Sequence, residues 1–429
     1  MGKKIIILGA GLAGLTSAYH LQKRKKECIV FEKEKEIGGL VRSKKILGFT
    51  FDYAGHLLHF RNKKNFIFVK SLLGDNLVKH NRNASIYIFN RFVPFPFQTN
   101  LFALPKKIKE ECFIGFVRAQ NNRKELAHNF YDWIIKNLGE GIAKHFMIPY
   151  NNKFWTISPK DLTYEWAERF VILPSLKEVK KGMEKGYSRN IGYNSIFWYP
   201  KKGGISELSK ALGKEVKNIF TDCEIKEIDL KNKTIKLFNG EKERFDVLLS
   251  TLPLPELSQI IVKIPPSIKF YFKKLRWNSI LNINLGINRR LEIPYHWIYF
   301  PEKEFPFFRV GFFHNFSHSL VPEEKSSLYI EIAYAQFNSI DKKNIVSRAI
   351  KDLVKAEILE RNDKIIIKDI NDIKYGYPVY DFNYQKARER ILAYLYENNI
   401  ISFGRYGSWR YMSMEDVIWD GENKADLLK

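Results

Sequence analysis

Residues 1–32, MGKKIIILGAGLAGLTSAYHLQKRKKECIVFE, decide the fold. Ile5-Ile6-Ile7-Leu8 is a short apolar run of the kind a buried parallel strand needs. Gly9, Gly11 and Gly14 follow at once in G-x-G-x-x-G spacing and open a helical pattern. Gly9 allows a tight turn, Gly11 leaves room for a pyrophosphate, and Gly14 lets the helix pack close to the strand. The helix N-terminus then turns its free N–H groups and positive dipole end toward the phosphates. Glu32 ends a second apolar run eighteen residues after Gly14, where a carboxylate can hold both hydroxyls of an adenosine ribose. The glycines alone would be weak evidence. With strand, helix, second strand and acid all in place, the segment predicts a dinucleotide site.

The residues that follow choose the dinucleotide. Glu32-Lys33, then Ile37-Gly38-Gly39 and Arg42, form an E-K-x-x-x-x-G-G-x-x-R run. It resembles the second fingerprint of glutathione-reductase-type FAD-binding proteins, above all the amine-oxidase superfamily. The resemblance implies that the paired glycines pass close to the cofactor and that Arg42 approaches its phosphates. FAD rather than NAD is therefore expected, bound noncovalently, since no segment resembles a covalent attachment site.

At 429 residues the chain exceeds what one hydrophobic core usually serves, so two or three subdomains are expected. Three scattered cysteines, Cys28, Cys112 and Cys223, lack C-x-x-C spacing. They argue against a disulfide framework and against a metal site, and fit a reducing, cytoplasmic setting. No signal peptide is expected ahead of the first strand, and no apolar run reaches the ~18 residues of a membrane span. The net charge of +24 would suit an acidic substrate or peripheral contact with an anionic membrane surface. A Lys-rich solvated surface is the plainer account and is preferred. Basic and aromatic residues do not alternate over any long stretch, so nucleic acid is not an expected partner. The sequence specifies no oligomeric state.

Along the chain, Phe102 to Tyr187 is helical in pattern. Lys201 to Ser206 makes a turn, with Ser206 as the N-cap of a helix through Leu212. A strand Ile219–Ile228, a hairpin at Asn239-Gly240 and a strand Val247–Ser250 follow. From about Ile260 to Val379 the pattern alternates as in a second sheet, and Ile400–Phe403 forms a last strand before Gly404-Arg405. The expected class is α/β: a Rossmann-like FAD-binding domain of glutathione-reductase type with a helical insertion and a β-sheet substrate domain. The FAD domain is assigned to 1–75, 200–258 and 398–429, the insertion to 100–190, and the substrate domain to 76–99 plus 259–397.

Five collinear blocks then carry a specific resemblance. They are Arg91 to Asn100 (RFVPFPFQTN), Tyr150 to Trp155 with Trp166 to Arg169, and Gly192 to Pro200 with Gly203-Gly204. Trp297 to Glu302 with Phe307 to Arg309 and Asn315 to Ser317 comes next, then Gly376 to Val379 with Gly404 to Tyr411. Their order resembles that of the UDP-galactopyranose mutases, nearer the eukaryotic type in the middle of the chain. Such enzymes use reduced flavin as a nucleophile toward the anomeric carbon of a nucleoside-diphosphate sugar, and the ring recloses at a different size without net redox change. An external reductant such as NAD(P)H is then implied as a partner.

The resemblance implies roles residue by residue. Arg169 and Arg309 hold the diphosphate from different subdomains, as guanidinium forks suit. Tyr299, Tyr377 and Tyr411 donate hydroxyls to the same oxygens. Phe95, Gln98, Asn151, Trp155 and Asn194 line the nucleotide pocket, with Trp155 and Asn194 at the uracil. His56, after Gly55, sits against the flavin and tunes it. Ile225, Gly404, Arg405 and Met414 touch the cofactor, and the helix opening at Met414 aims its N-terminus at the flavin pyrimidine edge. Each arginine has the alternative of a salt bridge, and each aromatic that of core packing. The chain departs from the pattern at Phe95 and Phe316, which stand in place of tyrosines, at Ala54 in place of a glycine, and at Leu173 in place of an arginine. Two rival readings share the FAD fingerprint: an oxidase of the amine-oxidase or protoporphyrinogen-oxidase type, and a non-catalytic FAD-bound partner in polysaccharide assembly.

Overall fold

The structure is a computed structural model that describes residues 3–121, 126–184, 192 and 194–428. The end of the expected helical insertion, including Tyr187, and Tyr193 of the third block lie outside the described residues.

The apolar run at the start forms β1 (Ile5–Leu8), fully buried and central in a five-stranded parallel sheet. β1 lies between β2 (Cys28–Phe31) and β13 (Val247–Ser250). β9 (Ile219–Phe220) extends the sheet beside β2, and β19 (Ile400–Ser402) extends it beside β13. Between β1 and β2 runs α1 (Leu12–Lys23), which packs on α8 (Ser206–Glu215) and α14 (Met414–Asp426). Segments 200 and 400 residues apart in the chain thus complete one dinucleotide-type fold. The hairpin of β3 (Ser43–Ile46) and β4 (Phe49–Asp52) leads out of it, followed by α2 (Lys63–Leu73).

The second sheet has seven strands. Its order is β18 (Ile365–Pro378), β14 (Trp277–Ile287), β17 (Ser326–Ala335), β16 (Arg309–Phe312), β15 (Trp297–Tyr299), β6 (Ala84–Ile88) and β7 (Arg91–Pro94). All neighbours are antiparallel except β15 and β6. One face packs on α11 (Lys342–Lys355) through Leu281, Ile283, Leu285, Val310, Ile330, Val346 and Leu353. Beyond β6 and β7 lies a helical layer: α3 (Lys106–Asn121), α4 (Phe130–Ile142), α5 (Ile148–Trp155), α6 (Ala167–Phe170) and α7 (Leu176–Glu184). β5 (Leu77–Asn81) pairs instead with β8 (Ile196–Pro200).

Several expectations need correction. The run Ile219–Ile228 is broken after Phe220, with Asp222 at φ +57°, so β9 joins the parallel sheet while β10 (Ile225–Asp229) opens a separate sheet with β11 (Thr234–Leu237) and β12 (Lys242–Arg244). The stretch from Ile260 to Val379 is not sheet throughout. It contains α10 (Pro266–Lys274) as well as α11, with α9 (Leu254–Ile260) just before them; α12 (Tyr384–Glu397) follows beyond it and packs on α10. Ser206 is the first residue of α8 rather than its cap, and its N–H donates to Ser43 Oγ.

Candidate active site

The dinucleotide half is built around glycines, Gly14 at an approach that no side chain would fit. A Cβ at Gly14 would collide with the Gly9 carbonyl oxygen, which is why α1 can start hard against β1. At Gly11 a Cβ would meet nothing nearer than the Gly39 Cα at 3.9 Å, and Gly11 bridges Gly38 directly. The two fingerprints are therefore one site. α1 carries no side-chain cap at Gly11 and no acid in its first turn, so its leading N–H groups are open to an anion. Glu32 is 7% exposed; it accepts the Ala10 N–H at 2.7 Å and the Glu34 N–H at 3.0 Å, which fixes its carboxylate beside the turn. Arg42 donates from Nε to the Gly39 carbonyl at 2.7 Å and lies over the Tyr53 ring. Lys33 is exposed. An uncapped helix end, an open glycine cradle and an anchored carboxylate fit the pyrophosphate and ribose of FAD.

Of the other residues expected at the cofactor, Gly404 lies against this cradle. A Cβ at Gly404 would press on the Ala13 Cβ, so the end of β19 meets the first turn of α1. Arg405 follows, with its guanidinium held by the carbonyls of Gly376 (2.9 Å) and Met412 (3.2 Å) and flanked by the rings of Tyr377, Tyr406 and Tyr411. Among the described residues no carboxylate lies within 4 Å of it, so the expected alternative of a carboxylate pair does not hold; its Nε also has no partner. Met414 is buried at the start of α14, whose N-terminus is closed by a Ser413–Asp416 capping box. Ile225 is a core residue of β10 packed with Ile6, Leu8 and Phe31.

Gly55 brings the next loop down onto the second sheet, where a Cβ would strike the Tyr329 hydroxyl. Ala54 adopts φ +66°, the conformation that makes glycine the easier residue there. His56 Nδ1 lies 3.4 Å from the Ala54 carbonyl. Burial, aided by the cations Arg405 and Arg309, pushes its pKa down to about 4, so the imidazole is neutral at neutral pH.

The sheet beneath carries a polar row that the registers define. Asn371, Asn282, Glu331, Arg309 and Tyr299 are neighbours across five consecutive strands. Arg309 is bidentate on Glu331, through Nε and through Nη2 at 2.9 Å, and Glu331 is 2% exposed. The paired charge holds the Arg309 pKa well above its usual value despite burial. Tyr377 closes on this row from β18 and meets Tyr411 at 5.2 Å; Tyr411 in turn meets Phe170 at 4.6 Å, next to Arg169. Arg169 donates to Asp416 at 2.5 Å, and the other oxygen of Asp416 accepts from Arg61 at 2.7 Å. The structure thus joins Arg309, Tyr299, Tyr377, Tyr411, Arg405 and His56 in one wall with Arg169 at its rim. Both arginines expected to bind diphosphate are engaged by carboxylates.

The expected nucleotide pocket is less uniform. Asn194 accepts from Arg82 Nη1 at 2.5 Å, Arg82 lies over the Phe95 ring, and Phe95 meets Tyr299 at 5.1 Å. These form one contiguous surface. Trp155 is instead 1% exposed and wedged among Phe154, Trp166 and Tyr380, a core position. Asn151 donates to the Met147 carbonyl just ahead of α5, and Gln98 braces the Ile172 carbonyl at 2.6 Å. Sequence reading missed Glu331, Asp416, Arg61, Arg82 and Tyr329. Except for Glu331, 22 residues from Arg309, they act across long stretches of chain, and only Glu331 left a signal, as the single acid within β17.

Residues 12–371 match the family model of flavin containing amine oxidoreductases. The chain belongs to that family. The family implies a flavin cofactor, in agreement with the cradle at Gly11 and Gly39. Within it, the chain is a UDP-galactopyranose mutase-like flavoprotein: a solved reduced UDP-galactopyranose mutase covers 99% of this chain and 95% of its own, with TM-score 0.93 and 27% identity. The protoporphyrinogen oxidase of Dictyostelium discoideum is 23% identical over 357 residues, covering 66% of each chain. A solved putrescine oxidase shares the fold at TM-score 0.68 and 13% identity, covering 100% of this chain and 99% of its own. The chain spans 66% or less of the length of the curated relatives it matches. Among the described residues no helix is long and apolar enough to cross a membrane, and no cluster of His, Cys, Asp or Glu has the form of a metal site.

Proposed function

We propose that this amine-oxidase-family flavoprotein rearranges the sugar ring of a nucleoside-diphosphate sugar, with UDP-galactose as the first substrate to try. The observation that carries the proposal is the wall itself. Among the described residues Arg405 pairs with no carboxylate; it stands with Arg309 and the side chains of Tyr299, Tyr377 and Tyr411, and the charge of both arginines bears on a histidine held neutral by burial. Such a wall suits a ligand with concentrated negative charge better than an amine. When bound and reduced, by NAD(P)H or another external donor, FAD would supply the nucleophile. The chain supplies the rest. Arg309 keeps Nη1 clear of Glu331, and with the hydroxyls of Tyr299, Tyr377 and Tyr411 it would hold the diphosphate and its growing charge as the glycosidic bond breaks. His56, with Nδ1–H directed to Ala54, offers Nε2 as an acceptor. The aromatic lining of Phe95, Tyr299 and Tyr377 limits water around the anomeric carbon.

An oxidase is the second reading, favoured by the carboxylates already engaging Arg169 and Arg309 and by the kinship with a protoporphyrinogen oxidase. The deciding experiment is anaerobic incubation of the dithionite-reduced protein with UDP-galactose and with UDP-glucose, followed by ring analysis of the sugar. The proposal expects a ring-contracted product with no oxygen uptake on re-aeration beyond that of flavin alone. Stoichiometric oxygen uptake on an amine or porphyrinogen, with no effect of UDP-sugars on the flavin spectrum, would overturn it.

A further inference from the structure

Lys153 leaves α5 and enters the connection between β15 and β16. Its Nζ donates to the carbonyls of Phe300 at 2.7 Å, Glu302 at 2.6 Å and Phe307 at 3.1 Å. An ammonium has three N–H donors, and all three are used on one loop. That loop starts after Tyr299 and ends before Arg309, so it sets the spacing of the two residues at the centre of the wall. The surroundings reinforce the seat. Phe308 packs edge-on against Phe154 at 5.2 Å and Tyr150 at 6.4 Å, on either side of Lys153 in α5.

We propose that Lys153 is a positioning residue whose ammonium clamps the 300–307 connection, so that Tyr299 and Arg309 meet the phosphates as one unit, and that loss of its proton loosens the clamp. The proposal rests on the nucleotide-sugar reading of the wall. The charges facing Lys153 are Glu302 and Glu304 on the loop, which favour the ammonium, and Arg348 on α11, which opposes it. Glu302 is itself half committed: one oxygen accepts the Phe89 N–H at 3.1 Å and the other has no partner. Burial outweighs these charges and lowers the Lys153 pKa to about 7, so the clamp titrates near neutrality. A neutral amine has two donors and a lone pair that repels a carbonyl, so three carbonyls can no longer converge on it.

The test needs two readouts. In the FAD-loaded protein, UDP affinity should fall across pH 7 to 9 with one titration, and Lys153→Met should bind UDP about tenfold more weakly with that titration absent. Amide exchange of residues 300–308, corrected for intrinsic rates and measured without nucleotide, should quicken in Lys153→Met and in the wild type above pH 7. If UDP binds neither protein, the nucleotide reading fails while the exchange data still decide the clamp. Should Lys153→Met not fold, the wild-type pH series alone decides. Protection of residues 300–308 that stays constant from pH 6 to 9, or a variant with wild-type affinity and pH profile, overturns the proposal.

Discussion

The two arginines of the wall live under different rules. Arg309 sits on a central strand with a buried bidentate carboxylate, and its side chain is 19% exposed. Arg169 sits on a four-residue helix at the rim, 32% exposed, and shares its carboxylate with Arg61. A buried pair is costly to break because the surviving charge stays desolvated. A rim pair is worth little and is readily exchanged for another anion. One side of the wall is therefore preformed, and the other can trade Asp416 for a ligand.

Acid should act hardest on the protein's buried groups, His56 of the wall among them. His56, His296 and His314 are each pushed down from 6.5 to about 4 by burial. Between about pH 6.5 and 4 the unfolded chain binds more protons than the folded one, so stability falls as pH falls. Asp52, buried and raised from 3.8 to about 6, works the other way between those values and offsets one histidine. A net loss on the order of 5 kcal/mol from pH 7 to 4.5 should appear in denaturant titrations. A flat acid limb would mean that these histidines are not sealed.

Arg309→Ala should come next, costing about 3–5 kcal/mol of stability by leaving Glu331 charged and alone. If urea melts show a loss as small as that of Arg169→Ala, the contrast between the two sides disappears. Arg169→Ala should barely move the melt, by under about 1 kcal/mol. It should still weaken UDP binding by about 1.5–3 kcal/mol in calorimetry, the scale of a charge-assisted hydrogen bond. Unchanged UDP affinity would remove Arg169 from the site. The smallest effect concerns Phe95, which meets Tyr299 but lacks a hydroxyl. Phe95→Tyr should tighten UDP binding by about 0.5–1.5 kcal/mol, and no gain would place the phosphates elsewhere.

How much of this was legible depended on the distance over which each residue acts. Gly9, Gly11, Gly14 and Glu32 act on one another within a few dozen residues, so their spacing alone suggested a dinucleotide turn; Gly38 and Gly39, which the structure brings against Gly11, were picked out by resemblance. Tyr299, Tyr377 and Tyr411 were picked out only through short blocks whose order resembled a family, and His56 only through the resemblance of its own loop after Gly55. Asp416 was not picked out, because an ion pair across 247 residues leaves no spacing to read, and Glu331 left only its place as the single acid in β17. The break at Asp222 escaped because a left-handed residue between two short strand-like stretches leaves their pattern reading as one strand. α10 escaped because Ile268, Phe270 and Phe272 in it mimic alternation, whereas α11 carries apolar pairs at helical spacing that the broad reading of Ile260 to Val379 as sheet passed over. Trp155 shows the converse limit: resemblance put it at the uracil, and packing put it in the core.

The row Tyr299–Arg309–Glu331–Asn282–Asn371 runs along the hydrogen-bonding direction of the sheet, so its steps are set by backbone at about 4.8 Å each. Side chains on it can be retyped, Arg309 and Glu331 only together, while the interval between them stays put. The sheet acts as a ruled edge on which a lineage can rewrite what it recognises without redrawing the lines.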